Sequence, residues 1–320
     1  TTNDFTTHTI AADGNMRATL GKINQQGGKH LVLLNSAHSK MFKGYQGYFA
    51  QGLNKLNNTH QGAILVVLTD EASINTIDVT AQSAITKQTL TNVVGVLKGH
   101  DKKKENILFS GHYDHLGGTE GEGDTIYNGA DDDASGTTAV INLAQHYAKK
   151  GKNSRSLLFA AFTAEEIGGF GSRYFSEQVD PNSITAMINI EMIGKPSKFG
   201  PGQVWMTGME RSSLGEILNS YLKDKQGKIY KDPYPEQKLF YRSDNATLAR
   251  LGVPAHSFSS TQLDKDKHYH KVSDDLASLD LNSMHQVIEN LAIATQGLVD
   301  GTITPTRIDA SKVRARGKIF

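Results

Sequence analysis

Residues 106–117 read NILFSGHYDHLG. Asn106 to Ser110 is a short apolar run of the kind that fills a buried strand, and it ends in a glycine, two histidines and an aspartate. Polar groups placed directly after a buried strand belong at the carboxyl edge of an open α/β sheet, where ligands bind. The arrangement recurs downstream. Ser156 to Phe162 (SLLFAAF) runs into Thr163-Ala164-Glu165-Glu166, and Ala186 to Met192 (AMINIEM) carries Glu191 near its end. Val253 to Ser259 (VPAHSFS) reads as a fourth strand.

Helical spacing lies between these runs. Ala139, Val140, Leu143, Ala144 and Tyr147 recur every three or four residues, as do Leu214, Ile217, Leu218 and Tyr221. Leu281, Met284, Val287, Ile288, Leu291, Leu298 and Val299 mark a long C-terminal helix. Strands alternating with helices predict a three-layer α/β/α sandwich around a mixed, largely parallel central sheet. Residues 89–320 form this main domain. Residues 1–88 are expected as a smaller α/β segment, either a separate module or an edge of the main sheet, with strand candidates His30 to Asn35 and Ala63 to Thr69 around a helical stretch near Gly44 to Leu56. Asp78 to Thr91 is the expected linker, and the charge run Asp101 to Glu105 the expected solvated turn.

Composition narrows the chemistry. With 38% hydrophobic and 21% charged residues the chain is globular, and it lacks an apolar run long enough to span a membrane. A net charge of +1 gives no electrostatic reason to bind nucleic acid. With no cysteine, disulfides and thiolate ligands are excluded, so any metal sits on His, Asp and Glu. The chain opens at Thr1 in a segment rich in Thr, Asn, Gln and Gly, which reads as a mature secreted or periplasmic protein.

Each polar cluster alone has an ordinary reading. Asp131 to Asp133 in NGADDDASG (128–136) suits a helix N-terminus, and Glu165-Glu166 suits an exposed turn. Together, several strand ends would deliver like-charged carboxylates to one edge, and burying them unpaired costs several kcal/mol. A cation at the focus removes that cost. Three carboxylates and two neutral imidazoles balance two divalent ions plus a hydroxide, about +4 against −4, and zinc suits such mixed ligation.

The motifs HYDHLG at 112, NGADDDASG at 128, AEE at 164, INIEMIG at 188 and YHKVSDD at 269 resemble, in this order, the zinc-dependent exopeptidases of the bacterial leucyl aminopeptidase and glutamate carboxypeptidase II type. The resemblance covers residues 90 to 300. It implies two zinc ions, one on His112 and Glu191, the other on Glu166 and His270, bridged by Asp132. It also implies Glu165 as general base, Asp114 orienting His112, Asp133 supporting the bridge, and Tyr269 stabilising an oxyanion. Glu191 stands where many relatives carry Asp. The implied activity is removal of the N-terminal residue from a peptide substrate, and residues 1–88 would be a shortened protease-associated or lid region.

Several residues are expected outside the ligand set: His115 as loop structure, His268 at the surface, Ser243 and Asp244 as a helix cap or substrate contact, Trp205 in the core. Loops 195–203 and 228–239 are expected to wall the substrate pocket. The alternatives are a single-zinc glutaminyl cyclase, a carboxypeptidase, for which no arginine cluster lies near the motifs, and a metal-free binding module. The last would lose the base or a ligand, and all are present.

Overall fold

A computed structural model describes residues 4–56, 62–82, 84–223 and 227–314. The chain divides into two compact units, residues 1–88 and 89–320. The first holds β1 (Thr6–Ile10), α1 (Met16–Gln26), β2 (Gly28–Leu34), α2 (Ser39–Ala50) and β3 (Gly62–Leu68). Its three strands form a parallel sheet of their own, in the order β1-β2-β3. Val32 and Leu34 alternate onto one face, where Met16, Leu20 and Ile23 of α1 cover them. Asn15 caps α1 by accepting the Ala18 N–H. No helix or strand occurs among the described residues from 69 to 92, a stretch that contains the expected linker Asp78 to Thr91.

The second unit contains β4 (Val93–Leu97), β5 (Lys102–His112), the short hairpin β6 (Gly117–Gly118) and β7 (Ile126–Tyr127), α3 (Gly136–Lys150), β8 (Arg155–Phe162), α4 (Phe170–Gln178) and β9 (Ile184–Ile190). It continues with β10 (Val204–Met206), α5 (Leu214–Tyr221), β11 (Ile229–Lys231), α6 (Asn245–Ala249), β12 (Ala255–Ser259), α7 (Leu281–Ala294) and α8 (Gln296–Val299). Seven strands make one sheet in the order β11-β10-β12-β9-β5-β8-β4. The pairs β8-β5, β5-β9, β9-β12 and β10-β11 are parallel; β4-β8 and β10-β12 are antiparallel. Among the described residues no helix is long and apolar enough to cross a membrane.

Side chains alternate across this sheet and build a core on each face. Ile107, Phe109, Ile188 and Ile190 pack with Val140 and Leu143 of α3 and with Met284, Val287 and Leu291 of α7. Leu108, Met187 and Phe162 face the other way, against Phe175 of α4 and Leu248 of α6. The three layers follow from helices burying their apolar stripes on both faces.

Two expectations change. Lys102 to Glu105 do not form a turn but open β5, because Arg155 at the start of β8 needs a partner there. Arg155 is fully buried; it donates to Glu105 at 2.6 Å and to the carbonyls of Leu298 and Ile303 at 2.8 and 2.7 Å. The C-terminal helix also divides into α7 and α8 at Thr295, whose hydroxyl donates to the Leu291 carbonyl.

His256 on β12 is fully buried. Its Nδ1 donates to the Thr207 carbonyl at 2.8 Å and its Nε2 accepts from the Ser212 hydroxyl at 2.8 Å. Burial depresses its pKa from 6.5 to about 4. The unfolded chain therefore binds a proton between those values that the folded one refuses, and stability falls as pH drops from 6.5 towards 4. The expected contribution is about 3 kcal/mol. Chemical denaturation across this range should show the decline in the wild type, and His256→Gln, less stable overall, should flatten it.

Candidate metal centre

β5, β8 and β9 run parallel and end together, so the residues that follow them meet at one edge of the sheet. His112 closes β5, Glu165 and Glu166 follow β8, and Glu191 follows β9. Asp132 arrives on the irregular turn 130–135 that precedes α3, and His270 on the loop after β12. Gly136 permits the approach of that turn, since a Cβ there would run into the Ile190 carbonyl and the Asp133 carboxylate. Ala164, Met192 and His270 each take a positive φ, between 51° and 57°, beside or at a predicted ligand. Non-glycine residues rarely hold that conformation, and here the surrounding hydrogen bonds enforce it. The Glu165 carbonyl accepts from Gly168 and Gly169, and the Met192 carbonyl from Ser260 and Thr261.

The geometry centres on Asp132. One of its carboxylate oxygens lies 3.2 Å from His112 Nε2, the other 3.2 Å from His270 Nε2. His112 donates through Nδ1 to the Asp114 carbonyl at 3.0 Å, which leaves the Nε2 lone pair facing Asp132. His270 Nε2 also lies 3.3 Å from Glu166 Oε2. Two donor sets have every ligand atom within 4.8 Å of the others: His112, Asp132 and Glu191, and His115, Asp132 and Glu166. His112 Nε2, His270 Nε2, Glu166 Oε1 and Glu191 Oε2 are buried and make no hydrogen bond. Imidazole and carboxylate lone pairs aimed at one another without a hydrogen bond fit a cation between them, and the mixed N/O set suits zinc.

Protonation follows the same logic. Burial favours the neutral His112 ring, but Glu165, Asp132 and Asp133 outweigh it and push its pKa well above the usual range. Asp132 and Glu166 push His270 up to about 9. Burial would raise Asp132 and Glu166; the imidazoles opposite hold both below the ordinary carboxylate range. Burial drives Glu191 up to about 7, against the pull of His112, and lifts Glu165 and Asp133 well above their usual values.

The supporting residues differ in detail from the expectation. Asp114 meets the His112 ring through its backbone carbonyl rather than its carboxylate, which lies 3.8 Å from Nδ1. The carboxylate accepts instead from the amides of Glu165 at 3.0 Å and Glu166 at 3.3 Å, fixing the backbone of that pair. Asp133 is buried and accepts from the amides of His112, Gly136 and Met192, so it staples three segments beneath Asp132. Tyr269 stacks on the His270 ring, with centroids 3.9 Å apart. His115 is more than loop structure: its Nδ1 lies 2.7 Å from Glu166 Oε1. His268 stays outside the cluster, its Nδ1 against the Ser273 carbonyl at 2.9 Å. Asp244 precedes α6 fully buried and does not cap it.

A cavity of about 220 Å³ lies beside Glu191. Gln237 and Leu239 wall it, as do Trp205, Met192 and Tyr269; the loop 195–203 contributes none of the lining residues.

Comparison with known proteins places this edge in context. Zinc aminopeptidase BSAP of Bacillus subtilis superposes with a TM-score of 0.53 at 18% identity, covering 70% of this chain and 53% of that one, which is a likeness of fold. LapB of Legionella pneumophila gives a TM-score of 0.52 at 26% identity, covering 65% of this chain and 55% of that one. Leucine aminopeptidase 1 of Emericella nidulans is 28% identical over 167 residues, 49% of this chain and 43% of that protein. A vacuolar membrane protease of Schizosaccharomyces pombe is 29% identical over 187 residues, 58% of this chain and 20% of that protein. The chain thus spans less than half the length of either of these two sequence relatives. Residues 92–295, which carry all five motifs, match the model of peptidase family M28, and the chain belongs to that family.

Proposed function

We propose that the protein is an aminopeptidase using two zinc ions, one on His112 and Glu191, the other on Glu166 and His270, with Asp132 shared between them. The observation that carries this reading is the divided carboxylate of Asp132, each oxygen 3.2 Å from a different imidazole. Glu166 faces His270 through Oε2, and its other oxygen, Oε1, lies 2.7 Å from His115 Nδ1.

When bound, zinc supplies Lewis acidity towards the scissile carbonyl and lowers the pKa of water. The remaining work falls to side chains. Glu165 is buried beside the cluster and has a raised pKa, as a group that shuttles protons near neutral pH requires. It takes a proton from the attacking water and delivers it to the amine as the C–N bond breaks. Asp114 holds Glu165 in place through its amide. The cavity beside Glu191 houses the side chain of the first residue, and Tyr269 borders it.

One observation favours a second reading. Folding brings Arg242 to the same cavity wall as Lys267 and Lys271, three cationic residues beside the carboxylates Glu191 and Asp266. Such a wall suits a substrate carboxylate, as a carboxypeptidase needs.

Elemental analysis after zinc loading should give two ions per chain and chelation should abolish hydrolysis of aminoacyl-nitroanilides; one ion per chain would instead favour the single-zinc cyclase reading. Because metal must displace protons from the imidazoles, zinc affinity should climb as pH rises from 7 to 9, where His270 titrates, by about tenfold per unit for each proton released. Glu165→Gln should keep both ions while its turnover falls at least 10²-fold. Leucyl-nitroanilide measured against an N-blocked dipeptide with a free carboxylate separates the two readings: hydrolysis of the blocked peptide alone would replace the aminopeptidase by a carboxypeptidase.

A further inference from the structure

Behind the metal-facing carboxylates lies a second charge cluster, built on Lys195. Its ammonium is 2.9 Å from Asp266 Oδ1, 3.3 Å from Asp131 Oδ2 and 3.4 Å from Asp274 Oδ1. The three aspartate side chains are almost fully buried and the lysine side chain is only 13% exposed. None of these four residues belongs to the two donor sets around Asp132. An ammonium carries three protons on a compact head, and here it meets one carboxylate oxygen from each of three aspartates, Asp131 on the turn before α3 and Asp266 and Asp274 on the loop after β12.

Each aspartate also accepts from backbone amides of the ligand-bearing loops. Asp274 Oδ2 accepts from the amides of Asp131 and Asp132, both at 3.1 Å. Asp266 accepts from the amides of His268 at 3.3 Å and Tyr269 at 2.9 Å, the two residues before His270. Asp131 accepts from the Gly194 amide at 2.7 Å and the Thr261 hydroxyl at 2.7 Å. Lys195 itself follows Glu191 by four residues. A single cation therefore ties together the segments that present Glu191, Asp132 and His270. Without it, three carboxylates would be buried side by side with no counter-charge, and they would relax by taking up protons or by pulling those loops apart, either of which weakens their hold on the backbone amides.

We infer that Lys195 is a positioning residue whose charge sets the separation of Asp132 from His270, and with it the affinity for the metal held between them. This rests on the reading of Asp132 and His270 as ligands. Lys195 touches neither the metal nor the substrate; it acts through Asp274 and Asp266.

The test compares wild type, Lys195→Met, which keeps the length and loses the charge, and Lys195→Arg, which keeps the charge on a planar head. Zinc affinity is read by competition with a chromogenic chelator, ligand geometry by the visible spectrum of the cobalt-loaded protein, and folding of the zinc-free chain by circular dichroism. Lys195→Met should lose about 10- to 100-fold in affinity for the more weakly held ion and alter the cobalt spectrum, with Lys195→Arg in between. Should Lys195→Met fail to fold, Asp266→Asn, which removes one of the three carboxylates and leaves an amide oxygen for the backbone, should shift affinity and spectrum in the same direction. Wild-type affinity and spectrum in Lys195→Met, or in Asp266→Asn if only that variant folds, overturn the inference. A wild-type chain that binds no zinc overturns the ligand reading itself, and this inference with it.

Discussion

Crowded negative charge is the constraint on which this structure turns. Asp132, Glu165, Glu166 and Glu191 meet at the end of three parallel strands, and Asp131, Asp133 and Asp274 lie buried just behind them. Carboxylates so placed repel one another and have lost much of their hydration, at a cost of several kcal/mol each if left alone. The fold answers in three ways. It sets imidazoles opposite Asp132 and Glu166, it aims backbone amides at Asp114, Asp133 and Asp274, and it drives Lys195 between three of the aspartates. What remains uncompensated is a group of buried lone pairs on His112, His270, Glu166 and Glu191. A site with this surplus is suited to divalent cations.

The rest of the main unit makes that crowding possible. The sheet supplies a rigid edge, because β5, β8 and β9 are held by apolar packing on both faces. A polar thread also runs beneath the site. Ser110 donates to Asn189, and Asn189 donates to Ser243 and Ser257, all buried. These bonds pin β5, β9 and β12 to one register close to His112 and Glu191. Ala164, Met192 and His270 hold left-handed backbone in the loops that carry Glu165 and Glu166, Glu191, and His270.

Much of the site was legible as residue types. The runs ending in His112, Glu165-Glu166 and Glu191 announce both the strands and their carboxyl ends, because a buried parallel strand is a continuous apolar run and a ligand must follow it. Other roles were not legible. His115 stands three residues beyond His112 in a loop with no periodicity to say where it points. Asp114 was read as a partner for His112, and residue type alone could not say that its carbonyl would take the ring while its carboxylate accepts from the amides of Glu165 and Glu166. The cavity wall likewise draws Arg242, Lys267 and Lys271 from two separate loops.

From the amino-acid order alone came the α/β layering, the alternation of strand and helix, and the ligand-type side chains at the strand ends. These depend on local spacing, which periodicity reports directly. Only the tertiary structure decided that Asp132 divides its oxygens between His112 and His270, that Lys195 gathers Asp131, Asp266 and Asp274, and that β1, β2 and β3 form a sheet of their own. Those facts are distances between segments up to about 140 residues apart in the chain, and such distances are settled by packing and charge compensation in three dimensions, which no local pattern encodes.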